Sequence, residues 1–176
     1  MSMYPIATTG VLSGSTTGAN FSNIPQTFTH LQFRCFWRGT NASVADGFIV
    51  RFNNDSSNHA YHYLQGDGSS VTSSGSTATV AFRFTQAPGS SATSGVFGCA
   101  IIDILDYTNT NKYKTMRALA GFDNNGSGQV ALDSGVYIAN TNAITQIDLY
   151  PNLTNNFAQY SRIDLYGIST SNATGA

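Results

Sequence analysis

Hydrophobic and polar positions alternate along most of this chain, and the repeat is two residues. In "THLQFRCFWRG", Leu31, Phe33, Cys35 and Trp37 fall on one side; Gln32, Arg34, Phe36 and Arg38 fall on the other. Successive side chains of an extended strand point to opposite faces, whereas a helix repeats every 3.6 residues, so the segment predicts a strand. "GFIVRFNND" puts Phe48, Val50 and Phe52 together and ends in a turn cluster. "HAYHYLQGDG" follows as a second short strand, closed by Gly66, Asp67 and Gly68. The pair predicts a hairpin with its loop over 53–58. "TVAFRFTQ" predicts a strand stopped by Pro88 and Gly89, and "GVFGCAIIDILDY", the most apolar run, predicts a central strand. "KYKTMRALAG" and "QVALDSGVYI" flank the turn "DNNGSG"; "AITQIDLYP" and "YSRIDLYGI" close the series. Residues 69–79, "SSVTSSGSTAT", are low in complexity and predict a loop or a weak edge strand.

About nine or ten strands result, separated by Gly, Asn, Ser and Asp turns at the spacing of a β-sandwich. Alternation with one polar face implies antiparallel pairing, and no helical pattern exists to supply parallel crossovers. The expected fold is all-β, an antiparallel β-sandwich of jelly-roll-like topology. No linker interrupts the chain, so 1–176 reads as one domain, with a frayed C-terminal tail over about 169–176.

Composition narrows the function. Only 10% of residues are charged, and eight basic residues nearly balance nine acidic ones. Phosphate backbones demand a clustered positive excess, so nucleic acid is not the expected partner. No stretch approaches the roughly 20 apolar residues that span a bilayer, and no basic face suits a membrane surface. The N-terminus lacks the basic and apolar regions of a secretory signal, so synthesis in the cytoplasm is expected. All nine acids are Asp, and the only lysines are Lys112 and Lys114. A surface of hydroxyls and amides costs less to desolvate than one of charges, which suits packing against neighbours. Cys35 and Cys99 fit no zinc spacing; free buried thiols are expected, with a single bridge as the alternative.

Candidate chemistry is thin. His59 and His62 fall on opposite faces of a strand and cannot share one metal from regular geometry. No G-x-S-x-G elbow is present. Asp103 and Asp106 lie on opposite faces of their strand; Asp103, between Ile102 and Ile104, is expected inward, with Arg117 on the next strand as its partner. "DNNGSGQVALDS" opens like a calcium loop with Asp123, Asn125 and Ser127, but Ser134 stands where the bidentate Glu belongs. Asn-Gly is the stronger signal there, for a tight hairpin turn. No catalytic, cofactor or metal residue is assigned, and the chain does not read as an enzyme.

Aromatics are plentiful, with nine Tyr, eleven Phe and one Trp. Tyrosines set among Ser and Asn suit a protein interface or a carbohydrate platform. The interface candidates are Trp37, His59, Tyr61, Tyr63, Tyr137 and Tyr150. Several phrases together, "FSNIPQTFTHLQFR", "YHYLQGDGSS", "IIDILDYTNTNKYKTMRALAGFDNNGSG" and the closing "DLYGI", resemble a group of small structural proteins of tailed bacteriophages. The similarity runs from about residue 20 to residue 168. It implies a virion protein and carries over no catalytic residue. The first expectation is a capsid decoration (cement) protein on the capsid exterior, bound to the major capsid protein, with a homotrimer favoured by three-fold sites on such shells. The alternative is a tail or fibre module that binds host-surface carbohydrate through exposed Tyr and Trp37.

Overall fold

The computed structural model describes residues 2–152 and 155–170. Among these residues twelve strands form: β1 Ser2–Thr8, β2 Ala19–Phe21, β3 His30–Trp37, β4 Ala45–Phe52, β5 His59–Gly66 and β6 Val71–Thr79. They continue with β7 Phe82–Pro88, β8 Gly98–Leu105, β9 Lys114–Asp123, β10 Gly128–Tyr137, β11 Ile147–Pro151 and β12 Arg162–Ser169. No helix occurs among the described residues. The two strands beyond the expected nine or ten are β1, which buries little, and β2, which is three residues long. Of the expected frayed tail, Ser169 instead ends β12, and residues 171–176 lie outside the described residues.

Two antiparallel sheets pack face to face. The larger has the order β1-β12-β3-β8-β9-β10-β5-β6; the smaller has the order β2-β11-β4-β7. Pairs β3–β12, β4–β11 and β5–β10 are nested, and the chain alternates between sheets as it passes along them. That is the folded ribbon of a jelly roll, here with β8 and β9 inserted between β3 and β10.

The expected hairpin at 53–58 is a corner instead. β4 belongs to the small sheet and β5 to the large one, so the turn carries the chain across the sandwich. Asn53 and Asn54 both take positive φ there, which Asn tolerates better than most residues. Asp55 caps the corner, accepting hydrogen bonds from the Ser57 amide at 2.9 Å, Asn58 Nδ2 at 2.8 Å and the Tyr137 hydroxyl at 2.8 Å. The expected turn at "DNNGSG" does form. Asn125 and Gly126 take φ of 54° and 100° between β9 and β10, the signs a type I′ turn requires.

The core lies between the sheets. Leu31, Phe33, Cys35 and Trp37 of β3, and Phe48, Val50 and Phe52 of β4, point into it as their alternation requires. Trp37 stacks on Phe48 with centroids 4.4 Å apart, and Phe157 joins them. A second aromatic group gathers Phe52, Phe82, His59 and Tyr137. Small residues on β8 to β10 make room for these rings. Ala100, Ala118, Ala120 and Ala131 face inward, and a Cβ on Gly135 would lie 2.5 Å from the Phe82 ring.

Candidate functional site

The outer face of the larger sheet carries exposed apolar side chains in register. Ile101 on β8 stands beside Leu119 on β9, Leu119 beside Leu132 on β10, and Leu132 beside Leu64 on β5. An adjacent row places Phe36, Cys99, Gly121, Val130, Gly66 and Val71 side by side. Leu119 is 55% exposed, Val130 56% and Val71 72%. Phe97 stacks on Phe36 at 4.8 Å and extends the second row. Neighbouring strands lie about 4.8 Å apart, so such rows are continuous rather than scattered. Exposed apolar side chains that are contiguous rather than scattered singly mark an interaction surface.

The local cause is that the middle of β9 and of β10 carries apolar side chains on both faces. Inward go Met116, Ala118, Ala120 and Phe122 of β9, and Ala131 and Tyr137 of β10. Outward go Leu119, Val130 and Leu132. Sequence reasoning did not single out these outward residues. The signal available was the second apolar set in "RALAGF" and "QVALDS", which one buried face does not need.

A polar row borders the patch. Gln32, Asp103, Arg117, Ser134 and His62 lie abreast on β3, β8, β9, β10 and β5. Gln32 Nε2 donates to Asp103 at 2.8 Å, and Arg117 Nη2 lies 4.0 Å from the other carboxylate oxygen. Asp103 therefore has the expected partner but not the expected place. Ile102 and Ile104 fill the core, and period two forces the residue between them outward. Asp106, at the turn after β8, pairs with Lys112 and lies 3.4 Å from His30 Nδ1.

The six interface candidates do not form one surface. Trp37, His59 and Tyr137 are buried, which corrects their selection. Trp37 shares the face of Leu31 and Phe33, so the alternation that builds the core takes it inside. His59 Nε2 accepts the Phe52 amide at 3.1 Å, tying the start of β5 to the end of β4. Desolvation lowers the His59 pKa to about 4, leaving the ring neutral. Tyr137 is held by its bond to Asp55 and accepts from Asn140 at 2.8 Å. Desolvation and the neighbouring carboxylate push the Tyr137 pKa up. Partial desolvation would raise Asp55, but bonds from Asn58, Tyr137 and Ser57 hold it well below the usual range. Tyr61 and Tyr63 are half-buried on the inner side of β5. Tyr150 is half-buried on the opposite sheet.

His62 is exposed while His59 is buried, the opposed placement that period two dictates. Among the described residues no group of three His, Cys, Asp or Glu side chains is placed to hold a metal ion. Cys35 and Cys99 are free; Cys99 is exposed rather than buried. Their strands are adjacent, but Cys99 pairs with Phe36 and Cys35 with Ala100, so the two thiols point to opposite faces.

A second polar feature lies on the outer face of the small sheet. Thr17, Asn20, Arg51, Asp148 and Tyr150 line an open depression. Asp148 is nearly buried and accepts from Asn20, from Gln146 at 3.1 Å and from Arg51 at 3.4 Å. The Arg51 guanidinium sits 5.4 Å over the Tyr150 ring. Both features suit binding. No family model matches this chain, and no curated protein is found similar to it.

Proposed function

We propose that this chain is a structural protein of a tailed-bacteriophage virion, a capsid decoration (cement) protein. It binds the capsid exterior at junctions between major capsid subunits, after synthesis in the host cytoplasm, and stabilises the shell. The observation that carries this reading is the pair of apolar rows on the outer face of the larger sheet. A sandwich that functions alone in water usually turns polar side chains outward from both sheets. An ordered apolar face bordered by polar residues is instead the anatomy of a protein interface. The phrase-level resemblance to phage structural proteins supports the assignment to a virion. Many copies, each burying a modest patch across a subunit junction, add up to a large stabilisation of the shell. The near-zero net charge, formally −1, gives no attraction to packaged nucleic acid.

Electron microscopy of virions carrying a labelled copy tests this. Density on the capsid surface at subunit junctions is expected, with the larger sheet turned toward the shell. Label confined to the tail tip rejects the cement role.

The second reading, a tail or fibre module for host-surface carbohydrate, draws on the depression beside Tyr150. An aromatic ring next to Asn20, Arg51 and Asp148 offers a sugar both an apolar face and polar partners. Trp37, first expected to serve that role, is buried. A glycan array separates the two readings: binding lost in Tyr150→Ala favours the sugar module, and a blank array disfavours it.

A further inference from the structure

The free edge of β6 offers a contact independent of whatever covers the sheet face. A strand at a sheet edge presents unpaired N–H and C=O groups, and folded proteins usually block such edges with proline, charge, bulges or short length. Among the described residues, three of the four sheet edges are blocked. β1 has Pro5 at its centre and a register shift beside it. β2 is three residues long, and β7 carries exposed Arg83 and ends on Pro88. β6 has none of these devices along its regular part. Its sequence, "VTSSGSTAT", contains no charge and no proline. Its pairing with β5 is regular from Val71 to Ser76, and the one shift lies beyond Ser76. Among the described residues no strand pairs with its far side, and Val71 stands 72% exposed at the end of an apolar row.

We propose that two copies of this chain pair antiparallel along β6, joining their larger sheets edge to edge about a two-fold axis near Ser74. A two-fold contact brings one surface against itself, so each residue must tolerate its symmetry partner. In this register Thr72 faces Ser76 of the second copy, Ser73 faces Gly75, and Ser74 faces itself. Small hydroxyl side chains or glycine face one another throughout, and cross-strand hydroxyl pairs are favourable while like charges would not be. Head-to-tail extension into a fibre would need β1 as the acceptor, and Pro5 removes the N–H at its centre. The contact therefore closes as a dimer, in place of the homotrimer expected from shell symmetry.

Light scattering on the full chain during size-exclusion chromatography tests the pairing. The wild type should run at twice its 18.7 kDa chain mass. A Thr72→Lys/Ser74→Lys variant should run as a monomer, because the two substituted 74 positions then oppose each other at the axis and each substituted 72 position lies diagonal to them. Thr72→Asp/Ser74→Asp should do the same, and mixing the two variants should restore a dimer with one copy of each. A shared far-UV spectrum and melting curve shows that both variants are folded. The proposal fails if the wild type is monomeric or trimeric, if the lysine variant stays dimeric, or if the mixture does not reassemble.

Discussion

Asp133 gives the fold a pH dependence. It sits on the inner face of β10, beside Tyr63 on β5 and Ala118 on β9, and among the described residues neither carboxylate oxygen has a hydrogen-bond partner. Desolvation pushes its pKa from 3.8 up to about 8, because a carboxylate out of water is disfavoured in its charged form. The folded chain keeps this proton to about pH 8, whereas the unfolded chain releases it near pH 4, so the folded state binds more protons between those values. Stability therefore falls as pH rises through this window, by about 1.4 kcal/mol per pH unit, and levels off above it. His59 acts in the opposite sense at lower pH. Its folded pKa of about 4 lies below the usual 6.5, so its contribution is lost as pH falls from 6.5 toward 4. The range above about pH 6.5 isolates Asp133. Thermal melts from there to about pH 8 should show a falling midpoint for the wild type and a flatter one for Asp133→Asn. Parallel curves would contradict the assignment. Little at this scale was legible in the sequence. "ALDSGV" reads as an ordinary polar-face pattern, and only the register with β9 and β5 turns Asp133 inward and Leu132 outward. Trp37 is the reverse case: its period-two partners Leu31 and Phe33 already placed it in the core.

Single side chains also organise whole connections between elements. Arg38, just past β3, donates through Nη1 to the Thr93 carbonyl at 2.8 Å and the Val96 carbonyl at 2.9 Å. Its Nη2 donates to the Ala92 carbonyl at 2.8 Å and the Ser90 carbonyl at 3.3 Å. The planar fork thus closes the loop between β7 and β8 by taking up carbonyls that no strand pairs. Lysine has three donors on one nitrogen and cannot span the same group of acceptors. Arg38→Ala should cost roughly 2–4 kcal/mol, since several charge-assisted bonds are lost together, and Arg38→Lys should recover only part of it. Denaturant unfolding gives the magnitude. Faster amide exchange confined to residues 90–97 would locate the damage, and unchanged exchange there would refute the role. The strands themselves were largely readable, because alternation fixes their type. Their partners were not. β4 and β5 follow each other across a short Asn-rich turn, which a hairpin and a sheet-crossing corner share. The choice fell to burial of Phe52 and His59 on facing sheets, a matter of long-range packing. β1 was missed for a related reason: it buries almost nothing, so no apolar alternation marks it.

For the molecule as a whole, the decisive asymmetry is between the two sides of the larger sheet. Its inner side is completed by the small sheet, whereas the outer side leaves Ile101, Leu119, Leu132 and Leu64 in water. Exposed leucines contribute little to the stability of the isolated chain, so replacing them tests adhesion apart from folding. Leu119 and Leu132 are direct neighbours across β9 and β10, at the middle of the first row. A Leu119→Asp/Leu132→Asp variant should remain folded but melt several degrees below the wild type, because the two carboxylates stand directly opposite each other on β9 and β10. Under the proposed cement role, the same variant should fail to bind capsid shells that the wild-type protein binds. Two buried carboxylates would have to be desolvated at the contact without partners, which costs far more than the lost apolar area. Co-sedimentation with such shells measures this directly, with Tyr150→Ala as the control on the opposite sheet. Retained binding by the double Asp variant, or loss of binding by Tyr150→Ala alone, would move the adhesive surface from the larger sheet to the depression on the smaller one.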